Sequence, residues 1–551
     1  MPPKTGLVQN CGLAFFRVRA SSGYTQSSLE RPLTTTHRLS LVRTFYRCCV
    51  SAPPVLRWLL LAGTVLLTTA MSAHAQSVAS EEALTAEQAQ KDVRILKRAL
   101  QELHPALTKY QSQAQMDAAF ARFELRGAAA RTASEMFLAA TELAAAIRCG
   151  HTWTNLLNQS GPAKRALLDA KNKLPLTLAL VQSRFLVLAS ATAGIKAGDE
   201  VLQLDGATPT AIAARLFPYL RADGSSDGKR LLQLSHGRGD YSMMDIVWPL
   251  LSPPREGQYR LQVRHHDGTS SLVTVPATTL AARSAALAAQ GIKPPSEAWS
   301  FRIANNIGYL TLPTFALWRD PFDWEKFLQA AFSTMAAQKT PNLVIDIRAN
   351  EGGDGAIGTQ LLSYLIKAPF RYSSCQCISV YERVPYILAK YLDTWDYSFF
   401  DRTGQVEKIG EKRYRFKPRV FGERVILPAS MPYQGQTYLL VGAENSSAAF
   451  MLAAFAQRSG AAILVGQQTG GNLRGLNGGE LTWVTLPSSG VAVDIPLLTT
   501  ENKGDEPDQS VLPDVAVTQT FNARQQGQDE ELAEVLRQIA AAARRSEQSH
   551  R

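Results

Sequence analysis

Two hydrophobic periods divide this chain. Glu87–His104 (EQAQKDVRILKRALQELH) carries apolar residues at helical spacing and is closed by Pro105, which predicts a helix. A second helix is expected over Ala133–Ile147, ending at Arg148-Cys149-Gly150 and followed by His151-Thr152-Trp153-Thr154. Over 172–278 the period shortens to that of strands. The runs are Leu174–Leu180, Phe185–Leu188, Glu200–Leu204, Tyr259–Arg264 and Ser271–Val275, with turns at Asp205-Gly206 and Asp267-Gly268. From Ser300 strands and helices alternate: Ile307–Leu312, Trp324–Ala337, Asn342–Ile347, then Ala356–Lys367. Such alternation predicts an α/β layered core. Residues 370–433 interrupt it with aromatic and charged residues and read as an insertion, a lid or substrate wall. A strand (Tyr438–Val441) then enters a polar turn with Ser446 and Ser447, an Ala-rich helix, a strand (Ala461–Val465) and a Gly turn. A helix over Glu530–Arg545 closes the chain. There is no internal repeat.

A chain of 551 residues exceeds one ordinary core, so two or three domains are expected. The net charge of +11 is concentrated in residues 1–75, where eight Lys/Arg face one acid, leaving +4 for the rest. No basic stripe interleaved with aromatics survives that subtraction, so no nucleic-acid partner is expected. Arg57, the 13-residue apolar run Trp58–Ala70 and Ala73-His74-Ala75 have the grammar of an export signal cleaved after Ala75. The run is short for a membrane span, which takes about 20 residues. Export to the periplasm or medium is expected, with no stable span after cleavage; the alternative is an uncleaved anchor. Residues 1–54 precede this signal, and translation is expected to start near Val55. Beyond the leader only Cys149, Cys375 and Cys377 remain, too few for a disulfide framework. The C-x-C pair lacks partner ligands for zinc.

The Ser446-Ser447 turn offers chemistry. A serine where a strand turns into a helix sits by the helix's first free amides, which can stabilise an oxyanion. Asn342–Gly358 (NLVIDIRANEGGDGAIG) is a Gly-rich turn that lacks the Lys-Ser/Thr of a phosphate loop. It reads either as an oxyanion-binding turn or as a plain βα turn needing glycine's positive φ. His151 is either a proton acceptor, since imidazole titrates near neutrality, or a residue that pins its loop. His104, at a helix end, reads as a capping residue. His265-His266 lacks a third ligand, and neither metal nor cofactor is expected.

The segments IGYLTLPTF (307–315), NLVIDIRANEGG (342–353), the Ser447 turn, VGQQTGG (465–471) and SVLPDVAV (510–517) together resemble the tail-specific, or C-terminal-processing, serine peptidase family. That family includes tricorn-type core proteases. AGIKAGDEVLQLDG (193–206) looks like the PDZ-like module such peptidases carry. The resemblance implies a multidomain α/β (α+β) fold. Its parts would be an N-terminal helical region (76–171), a PDZ-like β-rich module (172–278) and a ClpP/crotonase-like catalytic core (298–546) bearing the 370–433 insertion. It implies Ser447 as nucleophile, with Ser446 capping the helix. Classical members pair the serine with a lysine; Asn472 stands there, and an amide does not titrate. Gly150-His151-Thr152 resembles the tricorn-type histidine motif, which makes His151 the base. An orienting carboxylate is implied before Pro513-Asp514: Asp508, or alternatively Glu506. Phe450, where many members carry Glu, is a second departure. The amide of Ala448, with one from Gly352 or Gly353, would form the oxyanion hole. Ile195–Leu204, with Ile195, Leu202 and Leu204, would form a groove strand taking a peptide by strand addition. The reading is an exported serine endopeptidase with a protein or peptide substrate. The alternatives are an inactive peptide-binding relative, or a small ester or amide hydrolase on the same scaffold.

Overall fold

Thr85 opens the first helix. Its hydroxyl accepts from the Gln88 amide while the Gln88 side chain accepts from the Thr85 amide. This reciprocal cap satisfies two donors that the helix start leaves open. The helix, α1, spans Ala86–Leu103 in the computed structural model, which describes residues 82–237, 241–372, 376–418, 424–501 and 506–549. The export signal, its cleavage site and Cys375 lie outside these residues. Among the described residues no helix is long and apolar enough to cross a membrane.

Helices α1, α2 (Gln113–Ala129) and α3 (Ala133–Ala146) share one core through Leu96, Leu100, Phe120, Phe123, Met136 and Phe137. The same core takes Val484, Val493 and Ile495 from an antiparallel hairpin far along the chain, Leu481–Thr485 with Ala492–Pro496. Buried Asp92 of α1 fastens that hairpin by accepting from the Ser488 amide and from the Ser489 amide and hydroxyl. The chain's front and rear are therefore packed as one body, which carries the end of α3 toward the α/β layer.

A five-stranded antiparallel sheet follows in sequential order: β1 (Leu176–Val181), β2 (Arg184–Ser190), β3 (Glu200–Leu204), β4 (Gln258–Arg264) and β5 (Ser270–Pro276). Side chains cover the outer edge of β1. His236 Nδ1 accepts from the Leu178 amide, Ser235 Oγ accepts from the Leu180 amide, and Arg283 donates to the Leu174 and Leu176 carbonyls. Between β3 and β4 lies a short helix, α4 (Asp227–Leu232).

The α/β layer is a six-stranded sheet in the order β11-β10-β9-β8-β7-β6. Its members are β6 (Ser300–Ala304), β7 (Ile307–Thr311), β8 (Asn342–Asp346), β9 (Gln436–Val441), β10 (Ile463–Gly466) and β11 (Val515–Ala516). All neighbours pair in parallel except β6, which runs against β7 at the edge. The two-residue period of a strand builds the layers. Leu343, Ile345, Leu439 and Val441 face α5 (Trp324–Ala337), α6 (Gly355–Leu365) and α7 (Ser447–Arg458). The alternate residues Val344, Tyr438 and Leu440 face Leu532, Val535 and Ile539 of α8 (Glu530–Ser549). Arg348, just past β8, bonds Asp346, Asp529 and Glu531 and so ties α8 to the sheet. Between α6 and β9, Gln376–Ser379, Val406–Gly410 and Arg413–Phe416 form a small sheet with Thr499–Glu501.

Candidate active site

Parallel neighbours end on the same side of a sheet, so the turns leaving β7, β8 and β9 converge there. Two fully buried asparagines lace them together. Asn445 accepts from the Gly442 amide (2.8 Å) and donates to the Ile347 and Asn350 carbonyls. Asn350 accepts from the Gly352 amide (2.8 Å) and donates to the Leu312 carbonyl (2.8 Å). The Gly-rich turn after β8 is thereby clamped against the serine turn after β9.

Ser447 is the first residue of α7 and has φ +50°, in the left-handed region. An L-residue held there costs about 1–3 kcal/mol, which the asparagine lacing must sustain. This conformation lifts the half-buried side chain off the turn, and its hydroxyl bonds no group among the described residues. Ser446 occupies the cap position, but its hydroxyl donates to the Glu351 carbonyl (3.1 Å) rather than accepting from a helix amide. The expected side-chain cap is thus replaced by a staple to the Gly-rich turn.

The amides divide. Gly352 N–H is engaged by Asn350, so Gly352 is removed from the expected oxyanion donors. Among the described residues the amides of Gly353 and Ala448 have no acceptor, the latter at the open start of α7. Gly352 serves by its bareness instead. With φ +111°, a Cβ there would lie 2.9 Å from Ala448 N, Ser446 O and Ser447 Cβ. A Cβ on Gly353 would lie 2.2 Å from the Phe315 carbonyl carbon.

His151 reaches this region through charge. Arg221 donates to the Gly150 carbonyl and to Glu351 Oε1 (2.9 Å), and its guanidinium lies 3.9 Å from the Trp153 ring centroid. Lys229 of α4 bonds the same Glu351 oxygen (2.9 Å) and Glu444 Oε1 (2.9 Å). One ionic cluster therefore joins the His151 loop, the Gly-rich turn and the serine turn. Burial would raise the Glu351 carboxyl, but Lys229 and Arg221 outweigh it and hold it below the usual carboxylate range. At His151 burial comes first and lowers the imidazole below 6.5; Asp223 and Glu351 oppose, Arg221 and Lys229 assist. The ring is neutral at neutral pH, the state a proton acceptor needs. Its Nδ1 is buried without a partner among the described residues, and its Nε2 lies 3.1 Å from where a Cβ on Gly478 would sit. No hydrogen bond joins the imidazole to the Ser447 hydroxyl.

His104 closes α1 as its C-cap residue, and its side chain also positions the His151 loop. Its Nδ1 accepts from the Ala106 amide (3.1 Å), so Nε2 carries the proton and donates to Thr152 Oγ1 (3.0 Å). Burial, aided by Lys109, lowers it to about 3, so it stays neutral. Farther along, Asp494 of the rear hairpin accepts from Asn155 (2.8 Å) and Asn158 (2.7 Å). Burial raises its carboxyl to about 6 against these bonds. A carboxyl raised on folding binds its proton more firmly in the folded chain. Its contribution, on the order of 3 kcal/mol, is fully present below about pH 4 and lost as pH rises through 6. Urea unfolding of the native protein and Asp494→Asn across pH 4–7 is expected to show that loss only in the native protein.

The remaining expected residues make no hydrogen bond to His151 or Ser447. Asp508 Oδ1 accepts from the Ser225 amide (2.8 Å) and from Asn472 Nδ2 (2.8 Å). It makes no hydrogen bond to His151, and the carboxylates whose charge acts on that ring are Asp223 and Glu351. Asn472 is thus a buried structural amide, and Glu506 has an exposed side chain. Strand addition along Ile195–Leu204 is closed. β3 pairs with β2 at Glu200 and Val201 and with β4 over most of its length, while Ile195 and Leu204 are buried in the module's core. Leu202 lies on this inner strand too. Among the described residues no cluster of three metal-ligating side chains exists.

Residues 306–517, which hold the serine and Gly-rich turns, match the family model described as Peptidase family S41. No curated protein matches the chain. Among solved structures, mature CPAF complexed with lactacystin superposes with a TM-score of 0.56 at 16% identity, covering 82% of this chain and 97% of that one. Mature CPAF alone gives 0.54 at 16%, covering 82% and 96%. These likenesses establish the fold: a mixed α/β multidomain arrangement with N-terminal helices and β-rich modules. The photosystem II D1 C-terminal processing protease covers 79% of this chain and 94% of its own at 15% identity, with a TM-score of 0.35.

Proposed function

We propose that the chain is an exported serine endopeptidase that cleaves protein or peptide substrates through an acyl-enzyme on Ser447. The observation that carries this reading is Ser447 itself: a left-handed serine at a helix start, beside two amides with no acceptor. Ser447 Oγ attacks the scissile carbonyl carbon while His151 Nε2 takes its proton. The carbonyl's electron pair moves onto oxygen, where the Ala448 and Gly353 amides stabilise it. The tetrahedral intermediate collapses, the leaving amine takes the proton back from His151, and water repeats the sequence on the ester. The missing imidazole–hydroxyl hydrogen bond is consistent with a resting site, since such bonds tighten in the substrate complex. Asn472 takes no part, because Asp508 holds it as a turn anchor. The five-stranded sheet, read as a PDZ-like module, adjoins the site through Arg221 and Lys229 and would engage the substrate chain.

Digestion of a mixed peptide library by the native protein tests this. Internal cleavage of peptides, stopped by a fluorophosphonate, is expected. Turnover of small esters with every peptide left intact would assign the serine to an ester hydrolase instead.

A further inference from the structure

The carboxylates around His151 differ in what their oxygens already do. Glu351 is held by Lys229 and Arg221, Asp508 by Ser225 and Asn472, and both oxygens of Asp494 by Asn155 and Asn158. Asp223 stands apart. Its Oδ1 accepts from the amide of Gly150, the residue before His151, at 2.8 Å. Among the described residues its Oδ2 is buried without a partner, and it lies 2.8 Å from where a Cβ on Gly150 would sit. His151 Nδ1 is likewise buried without a partner. An acceptor and a ring nitrogen, both out of water and both unsatisfied, adjoin the same glycine. A buried polar atom left this way is destabilising, so pairing the two removes two penalties at once.

We infer that Asp223 is the positioning residue for His151, its Oδ2 accepting Nδ1–H of the imidazole in the working enzyme. This rests on the reading of Ser447 as nucleophile and His151 as base. With the proton fixed on Nδ1, Nε2 presents its lone pair toward the serine. When Nε2 takes the hydroxyl proton, the imidazolium charge forms beside a carboxylate. The other charged groups acting on the ring are Glu351, Arg221 and Lys229. Asp223 is faced in turn by Tyr110, Cys149 and Arg230. Burial, then Asp223, raise the Tyr110 hydroxyl well above its ordinary value, so it stays protonated. Burial pushes the Cys149 thiol up to about 11. Asp223 lies in the connection after β3, so the β-rich segment contributes to the catalytic apparatus of the α/β layer.

Asp223→Asn tests this, since the amide keeps an acceptor for the Gly150 N–H and so preserves the loop. Peptide turnover is measured from pH 4 to 9, with 15N NMR titration of the His151 ring alongside. We expect kcat to fall by about 10⁴ with KM nearly unchanged. The acid limb and the ring titration should both move to lower pH, because a negative charge that favours the imidazolium is gone. A purely structural role would lower Tm and leave the limb in place; that result, or a native profile, overturns the inference. Fluorophosphonate labelling of the native protein separates the two levels. If Ser447 labels and Asp223→Asn titrates like native, the inference alone fails; if Ser447 never labels, the peptidase reading fails and this inference falls with it.

Discussion

Ser447→Ala is expected to end peptide hydrolysis, lowering kcat by about a millionfold while Tm stays within a few degrees of native. Alanine has the same backbone demands as serine at φ +50°, so the turn itself is not further strained. The hydroxyl bonds nothing among the described residues, so its loss breaks no hydrogen bond there. Ser446→Ala should behave in the opposite way. Its hydroxyl holds the Glu351 carbonyl, so removing it should cost about 0.5–1.5 kcal/mol of stability and leave kcat within about tenfold of native. Steady-state kinetics and thermal melts on the two variants check both halves. Equal losses in kcat would mean that the two hydroxyls cannot be separated as read here.

Gly352→Ala is expected to lower kcat by about 10²–10³, the effect of removing one oxyanion donor, although Gly352 donates nothing itself. The added methyl would lie 2.9 Å from Ala448 N and 2.9 Å from Ser447 Cβ. All its near neighbours are backbone or the serine's own Cβ, so none can swing aside. The turn must retreat, which displaces the serine or covers the amide meant for the oxyanion. Alanine at φ +111° adds about 1–3 kcal/mol of backbone strain. KM should change less than kcat, because the damage falls on a group used in the transition state. Native kcat in a folded Gly352→Ala protein would place the oxyanion elsewhere.

The α/β layer was legible because strands of period two and helices of period 3.6 alternate cleanly from Ile307 onward. Its central elements end within two residues of expectation, whereas the closing helix runs four residues past Arg545 and the short strands Ser300–Ala304 and Val515–Ala516 were not foreseen. The serine turn was legible for the same reason: a polar pair between an apolar strand and an Ala-rich helix has few other readings. What escaped was everything decided by contact between distant segments. Asp223-Gly224 reads locally as a turn, and nothing nearby in sequence shows that its carboxylate meets Gly150. Asn350 and Asn445 read as loop polar residues, although polar groups that follow buried strands so closely must find partners there. The sequence leaves Gly352 and Gly353 as alternative donors, because only the Asn350 side chain, two residues away, reveals that the Gly352 amide is engaged. The groove strand was misplaced because a motif gives a strand's sequence but not its neighbours, and β3 proved to have two. His104 and Lys229 belong to the same class, long-range tethers whose partners lie 48 and more than 100 residues away.

The most direct measurement is the site of a covalent adduct. The native protein is treated with a fluorophosphonate at pH 7, digested, and the modified peptide sequenced by mass spectrometry. The account predicts one phosphonyl group on Ser447, formed far more slowly in His151→Ala. An adduct on Ser446, on a residue outside the serine turn, or on no residue at all would contradict it.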